Sequence, residues 1–262
     1  MFGQAQTLLK KIAACALGAA VLIAPAACGT TDESQSAQKD AKNATSIVDS
    51  VKKDDTIAAM LPKSVADSGK LTVGMEMSYA PAEFLAEDGK TPQGYDVDLA
   101  KALGKVLGVQ TEFVSASFDS IVPSVGSKYD LGITAMTITE EREKAVDFVS
   151  YYKAGSMWVV KKGNPNKVDV KNLCGSKIAV QVGTVQEEDA NKIKEQCKAD
   201  NKAAVEVMPS QQQTDAATNV VTGQADVFYA DSPVGGYAIS QTDGQREELG
   251  EGDGTVKEGL AI

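Results

Sequence analysis

Alternating and helical patterns of apolar residues follow one another in the first half of the chain. Residues 70–77 place apolar side chains on one face, which is typical of a strand. Residues 97–107 carry apolar side chains at helical spacing, and Gly108 follows as a stop signal. Residues 109–114 alternate again. A strand, a helix and a strand of these lengths predict a right-handed βαβ unit in a parallel sheet.

The rest of the chain repeats both patterns, so we predict a second α/β series after the first. The first series ends with a helical turn at 121–125, a buried strand at 130–136 and a helix at 140–146. The second series is predicted to contain strands at 157–161, 177–182, 205–208 and 225–229, and helices at 186–197 and 211–221.

The N-terminal residues 1–27 have the pattern of a signal peptide. Lysines precede an apolar run that is too short and too rich in Ala and Gly for a confident membrane span. Residues 25–28 (PAAC) resemble a lipobox in which Cys28 would be acylated, although Pro25 stands where Leu is usual, and ordinary signal cleavage also fits. Residues 28–59 are polar and predict a flexible tether. We therefore expect a lipid-anchored protein on the extracytoplasmic face of the cell membrane.

Composition excludes several classes of function. The chain carries a net charge of −10 and contains no His. An acidic chain without a basic stripe is not expected to bind nucleic acid, because nothing would neutralise the phosphates. The lack of His removes the commonest general base and the commonest zinc ligand. We expect neither a metal nor another cofactor.

Two cysteines remain in the exported part of the chain, Cys174 and Cys197. An exported domain with one pair of cysteines favours a disulfide between them. Two buried free thiols are the alternative.

Arg142 follows a buried strand in a segment that allows two helix starts. If Thr139 caps the helix, Arg142 lies in the first turn, where the helix dipole disfavours a cation. That position is reasonable if the guanidinium binds an anion, since its fork matches a carboxylate. If Thr137 caps the helix instead, with Glu140 at the third position, Arg142 is a solvated surface residue.

Residues 94–107 (GYDVDLAKALGKVL) resemble the signature of the family 3 extracellular solute-binding proteins, the amino-acid receptors of ABC importers. Further segments resemble the family in the right order: 70–74 (KLTVG), 79–84 (YAPAEF), 181–186 (QVGTVQ) and 223–231 (GQADVFYAD). The resemblance spans about 60–262.

The resemblance implies an α/β, two-lobed, type II periplasmic-binding-protein-like fold. Lobe 1 would comprise 60–151 and 245–262, and lobe 2 would comprise 152–244, with hinge crossings near 151–155 and in the Gly-rich 241–255. Relatives continue with a helical tail over lobe 1. We therefore expect a missing C-terminal tail, exposed apolar surface on lobe 1 and low solubility.

The resemblance also implies a binding site for a zwitterion, which needs an anion site and a cation site. Arg142, Thr137 and the backbone after Ala135 would hold the ligand carboxylate from lobe 1. Thr184 and Val185, at a helix start in lobe 2, would bind the same carboxylate. Asp231 would bind the ammonium group.

The ligand side chain would be enclosed by Tyr79 and Phe118, and recognised by Glu76 and Gln181. Each position has an ordinary alternative: a plain strand-to-helix turn at Thr184, a turn cap at Asp231, core aromatics, and a solvated strand end at Glu76. Helix capping and dipole support explain Asp96 and Asp98 without a ligand.

These features favour a monomeric receptor for a free polar amino acid, such as glutamine, glutamate or arginine, that delivers its ligand to ABC permease subunits. A dehydratase-type enzyme of the same fold is one alternative. It is disfavoured because Glu76 is the only acid or base expected in the cleft. A sensor ectodomain is the other alternative, disfavoured because no transmembrane helix follows.

Overall fold

The computed structural model describes residues 47–262, apart from the side chains of 253–255. The expected signal peptide, Cys28 and most of the expected tether lie outside the described residues. None of the helices within 47–262 combines the length and the apolar character needed to cross a membrane.

From residue 51 onwards the chain contains eleven strands, seven α-helices and a short 3-10 helix, and residues 47–50 are also helical. The strands are β1 (Lys70–Met75), β2 (Ser78–Tyr79), β3 (Glu83–Leu85), β4 (Pro92–Gln93), β5 (Gln110–Ser115), β6 (Leu131–Thr137), β7 (Phe148–Lys161), β8 (Lys177–Gln181), β9 (Glu206–Ser210), β10 (Val227–Asp231) and β11 (Arg246–Ala261). The helices are α1 (Asp55–Ala58), α2 (Lys63–Ser68), α3 (Tyr95–Leu107), α4 (Phe118–Ser124), α5 (Val185–Ala199), α6 (Gln213–Thr222) and α7 (Ser232–Ser240), with the 3-10 helix at Arg142–Lys144.

The main sheet has the strand order β5-β1-β6-β11-β7-β10-β8-β9, and β2, β3 and β4 form a small separate sheet. Strand β1 is parallel to β5 across helix α3, which confirms the predicted βαβ unit. In the second half, β10, β8 and β9 are parallel neighbours. The fold is therefore the expected two-lobed α/β arrangement.

Two long antiparallel strands connect the lobes. Strand β7 has 14 residues and β11 has 16, and they pair along most of their length. The sequence predicted only a short strand at 157–161 in this region, with crossings near 151–155 and within 241–255; in the structure the two strands run through these segments. The pairing of β7 with β11 provides hydrogen-bond partners for backbone N–H and C=O groups that would bind water if the two segments were unpaired. The register shifts at three places along the pair, and such bulges bend and twist a ladder.

Each lobe has its own apolar core, and a third cluster packs across the boundary. Val73 and Ile133 belong to the core of lobe 1, and Ile178 to that of lobe 2. The third cluster joins Tyr79 and Ala135 of lobe 1 to lobe 2 residues that include Phe228 and Val234.

Three further local predictions differ from the structure. The helix expected at 140–146 is reduced to a turn and the 3-10 helix. Helix α7 was not predicted, because a Pro and adjacent glycines in its sequence indicated a turn. Helix α1 lies within the expected tether; Asp54 caps it and donates its backbone N–H to the Val106 carbonyl at 2.9 Å. The folded part thus begins before residue 60.

The predicted disulfide is present. Cys174 and Cys197 are bonded, with their Cα atoms 5.6 Å apart. The bond joins the segment before β8 to the C-terminal part of α5.

Candidate functional site

The site lies where the ends of β1, β6, β8 and β10 meet the starts of α4 and α5. Contacts connect most of the sequence-predicted site residues into two groups, each of which spans both lobes. The links are Tyr79 with Asp231, Tyr79 with Phe118, Arg142 with Phe118 and Thr137, Gln181 with Glu76, and Thr184 with Gln181.

The guanidinium of Arg142 is fixed by backbone carbonyls from both lobes. Its Nη1 donates to the Thr137 carbonyl at 2.5 Å, and its Nη2 donates to the Gly183 carbonyl at 2.9 Å. Its Cζ lies 5.4 Å from the centroid of the Phe118 ring. Burial lowers the pKa of the guanidinium, and nearby acids, Glu188 first, oppose this shift. The interpretation of Arg142 as a solvated helix residue is therefore wrong.

Thr139, not Thr137, begins the turn that carries Arg142. The Thr139 hydroxyl accepts the Arg142 backbone N–H at 3.2 Å. The Thr137 hydroxyl instead contacts Glu258 at 3.1 Å, so it does not cap the following turn.

Asp231 is buried at the end of β10, 4% exposed, and accepts two hydrogen bonds from other elements. Tyr79 donates its hydroxyl to Oδ2 at 2.6 Å, and Gln186 donates Nε2 to Oδ1 at 2.7 Å. The Asp231 side chain makes no capping bond to α7, so the turn-cap alternative does not hold. Burial raises the pKa of Asp231 to about 6, against the hydrogen bonds from Tyr79 and Gln186 and the charge of Arg142.

Sequence reasoning missed Gln186. Its Nε2 also contacts the Ser156 hydroxyl at 2.9 Å, which fixes the amide beside Asp231. The available signal was its place in the first turn of a helix already expected to face the ligand.

Tyr79 and Phe118 lie side by side on lobe 1. Their ring centroids are 6.4 Å apart and their planes differ by 21°. A planar group between two rings needs about 7 Å, since stacked carbon atoms approach to about 3.5 Å. A small shift of either ring would therefore admit a ligand side chain between them.

Glu76 and Gln181 meet across the lobes. The Gln181 Nε2 donates to the Glu76 Oε2 at 3.0 Å, and the Ser78 hydroxyl donates to the same oxygen at 2.8 Å. Glu76 is 5% exposed and is not a solvated strand end. Burial raises its pKa. Glu76 also lines a cavity of about 450 Å³ between the β1–β3 segment and α7.

Thr184 caps helix α5. Its hydroxyl accepts the Glu187 backbone N–H at 3.1 Å and donates to the Gln181 carbonyl at 2.8 Å. Glu187 in turn accepts the Gly183 N–H at 2.7 Å.

The side chain of Thr184 is thus engaged within lobe 2. The first-turn N–H groups of Val185 and Gln186 have no intrahelical partner and are the groups left for an anion.

Ala135 has an unusual backbone that a buried acid holds in place. Its φ is +42°, a region that few residues other than glycine adopt. The Ala135 N–H donates to Asp96 Oδ2 at 2.7 Å, and Tyr151 donates its hydroxyl to the same oxygen at 2.7 Å. Asp96 is thus a buried support of the β6 end, and its interpretation as a simple helix-dipole residue was wrong.

A second buried acid, Glu83, supports the same strand end. Its carboxyl oxygen accepts the Thr134 hydroxyl, and that hydroxyl accepts the Glu76 N–H at 3.1 Å. Burial, and then the neighbouring Asp96, raise the pKa of Glu83 well above its usual range.

Glu258 is the most informative residue that sequence reasoning missed. It lies on β11 opposite Thr137 and is fully buried. Burial, and then the charge of Asp231, raise its pKa to about 8. The expectation that Glu76 is the only acid in the cleft was therefore wrong. The available signal was an acidic residue at the start of the apolar stretch 259–262.

Comparisons with known proteins agree with this geometry. Residues 71–226 match the model of the bacterial extracellular solute-binding proteins, family 3. The chain is 34% identical over 197 residues to the arginine-binding protein ArgT of Corynebacterium glutamicum, covering 74% of this chain and 64% of that protein. The chain therefore spans less than two thirds of that relative.

Comparisons with solved structures support the same family. An ancestral arginine-binding protein bound to arginine is 36% identical with a TM-score of 0.68, covering 74% of this chain and 84% of that chain. An ancestral amino-acid-binding protein, described as a precursor of cyclohexadienyl dehydratase, is 34% identical with a TM-score of 0.66, covering 76% and 84%. The chain belongs to the bacterial extracellular solute-binding proteins, family 3.

Proposed function

We propose that this protein is the extracytoplasmic receptor of an ABC importer and that it captures a free amino acid between its lobes. One observation supports this most directly: a partly buried cation and a buried anion face the same junction from opposite lobes. Arg142 comes from lobe 1 and Asp231 from lobe 2, and both lie close to Tyr79. A zwitterion needs both charges, and neither lobe alone supplies them.

In this proposal the ligand carboxylate binds Arg142, the Thr137 hydroxyl, the backbone after Ala135 and the first-turn N–H groups of α5. The ammonium group binds Asp231, whose orientation Gln186 fixes. The two aromatic rings on lobe 1 enclose the aliphatic part of the ligand.

We infer that L-arginine is the first ligand to test among the polar amino acids. Glu76 is buried beside a cavity and has no cationic partner among residues 47–262, so a guanidinium would satisfy it. Gln181 could also serve a glutamine amide or a glutamate carboxyl. The two relatives named for arginine binding favour arginine.

A thermal-shift screen of the twenty amino acids, followed by calorimetry, tests this function. L-arginine should raise the melting temperature most. Agmatine lacks the carboxylate and Nα-acetylarginine lacks the ammonium charge, so both should bind poorly. Tight binding of either analogue, or no response to any amino acid, would contradict the proposal.

We further propose that β7 and β11 act as the hinge, with lobe 1 at 60–151 and 245–262 and lobe 2 at 152–244. The receptor would act as a monomer and deliver its ligand to ABC permease subunits. Ligand contacts across the junction would favour the closed arrangement of the lobes.

We propose binding without conversion, against the dehydratase-type alternative. Glu258 and Glu76 are acids near the site, so the alternative needs a direct test. Incubation with each bound amino acid, followed by mass spectrometry, should recover the ligand unchanged in stoichiometric amounts. Time-dependent loss of ligand would indicate an enzyme.

We propose that lipid at Cys28 anchors the protein to the membrane. Cys28→Ala should move the protein from the membrane fraction to the soluble fraction. Cys15→Ala, a matched change within the signal peptide, should leave the anchoring intact. If both variants fractionate like the wild type, another anchor is required.

A further inference from the structure

Glu258 is a buried acid next to Thr137, one of the residues proposed to bind the ligand carboxylate. It lies on β11 between Thr137 of β6 and Tyr152 of β7, with no exposed surface. Its Oε1 lies 3.1 Å from the Thr137 Oγ1. Its Oε2 has no hydrogen-bond partner within the described part of the chain.

No cation is bonded to this carboxyl group among residues 47–262. Arg142 lies close enough to influence Glu258 electrostatically, but its two Nη groups donate to the carbonyls of Thr137 and Gly183. A buried carboxyl without a bonded cation is more stable in its neutral form.

The charged and titratable groups around Glu258 come from four elements. They are Asp231 at the end of β10, Asp96 on α3, Tyr79 on β2 and Arg142 on the 3-10 helix. Burial and the two acids raise the pKa of Glu258 to about 8, although the hydrogen bond from Thr137 and then the charge of Arg142 lower it. The group therefore titrates within an accessible pH range.

The Thr137 hydroxyl has one proton to give. If Glu258 is ionised, that proton points to Glu258, and the Thr137 oxygen presents lone pairs to the ligand carboxylate. If Glu258 is protonated, its O–H donates to the Thr137 oxygen, and the Thr137 proton is free for the ligand. The 3.1 Å distance between the two oxygens fits either arrangement.

We propose that Glu258 is a positioning residue that carries a proton in the liganded protein and thereby turns the Thr137 hydroxyl toward the ligand carboxylate. The amino acid then binds together with one proton from the solvent. This inference rests on the proposed function and adds a pH dependence to the same site.

Calorimetric titration of L-arginine between pH 6 and 9 tests the inference in matched variants. From pH 7 to pH 9, wild-type affinity should weaken about tenfold more than that of Glu258→Gln, because deprotonated Glu258 must regain a proton to bind, whereas loss of the ligand's own ammonium proton weakens both proteins alike. Glu258→Gln keeps a donor to Thr137 at every pH, so its affinity should match the wild type within about threefold at pH 7 and exceed it at pH 9. Glu251→Gln, an exposed change on the same strand, should follow the wild-type profile.

A second measurement needs only the wild type, in case Glu258→Gln folds poorly. Titrations at pH 8 in phosphate and in Tris report the protons exchanged on binding. A fraction of a proton per ligand should be taken up, because part of the free protein is deprotonated there. Thr137→Val removes the hydroxyl through which Glu258 acts, so it should weaken binding and flatten the pH profile.

The outcomes separate the two proposals. Equal weakening by Glu258→Gln at every pH would identify Glu258 as an anionic ligand contact and overturn the inference. Parallel pH profiles for both proteins, or no proton uptake at pH 8, would also overturn it and leave the receptor function intact. A folded protein that binds no amino acid at any pH would instead overturn the receptor function, and this inference with it.

Discussion

At the scale of single residues, the site is held in place mainly by uncharged groups. Arg142 is positioned by two backbone carbonyls and an aromatic ring, while Asp231 is positioned by a phenol and an amide. Arg142 and Asp231 do not form an ion pair with each other, so both remain available to a ligand with opposite charges. The pairs that would then form are buried, where losing one partner is costly.

Arg142→Ala should therefore weaken amino-acid binding by at least about tenfold, corresponding to roughly 1.4 kcal/mol or more. Lys144→Ala is the matched control, because Lys144 lies on the same 3-10 helix but is exposed. Calorimetry measures the affinities, and circular dichroism checks the fold. Unchanged affinity in Arg142→Ala would show that another group binds the carboxylate.

Asp231 should give binding a dependence on acidic pH. Its pKa is raised to about 6, so the carboxylate that attracts the ligand ammonium becomes protonated as the pH falls through that value. Affinity should decrease from pH 7 to pH 5 in the wild type. Asp231→Asn should bind more weakly at pH 7 and lose most of this dependence. If affinity falls equally from pH 7 to pH 5 in both proteins, a group other than Asp231 causes the pH dependence.

The sequence was sufficient for the residues whose role follows from a local pattern. Arg142 and Asp231 each follow a strand end, and the structure places them together. The sequence was not sufficient to predict the roles of Gln186, Asp96 and Glu258, because the residues that they contact are remote in the chain. Glu258 and Thr137 are 121 positions apart, and nothing near Glu258 indicates which strand lies beside it.

At the scale of elements, local units were predictable and long-range pairing was not. The β1–α3–β5 unit follows from a pattern within 50 residues of chain. The pairing of β7 with β11 could not be predicted, because about 100 residues of sequence separate the two strands and the Gly-rich part of β11 indicated a loop. Helix α7 contains Gly235, and a Cβ there would lie 2.9 Å from the Met157 sulfur, so close packing on β7 stabilises a helix of poor intrinsic propensity.

The disulfide is predicted to stabilise lobe 2. It closes a loop with a sequence separation of 23, which should contribute about 3 kcal/mol by restricting the unfolded chain. Urea unfolding with and without reductant measures this difference. In the double variant Cys174→Ser/Cys197→Ser, reductant should have no effect. A wild-type curve insensitive to reduction, with both thiols free in the unfolded protein, would contradict the prediction.

At the scale of the whole molecule, polar contacts tie the two lobes together at the site. The Tyr79–Asp231, Arg142–Gly183 and Glu76–Gln181 contacts all cross the junction. The Ser78 hydroxyl also accepts the Gln213 backbone N–H at 2.8 Å. Because these contacts use residues proposed to bind the ligand, capture and closure should depend on the same surfaces.

Gly183 tests whether close approach of the lobes is needed for binding. Its φ is +79°, and a Cβ there would lie 2.9 Å from the Asp119 Cβ on α4 of lobe 1. Gly223 offers a matched control, because its φ is +76° and a Cβ there would meet nothing within 4 Å. Alanine at either position should cost roughly 1–2 kcal/mol of stability through the left-handed backbone alone.

Only Gly183→Ala should also hold the lobes apart, because its methyl group would meet lobe 1. The Gly183 carbonyl would then move away from Arg142, and the first-turn N–H groups of α5 would move away from the ligand carboxylate. We expect affinity to fall at least about tenfold in Gly183→Ala and to stay within about threefold of wild type in Gly223→Ala. Calorimetry and urea unfolding of both variants separate the two effects. Equal affinities would show that the ligand binds without this approach of lobe 2 to α4.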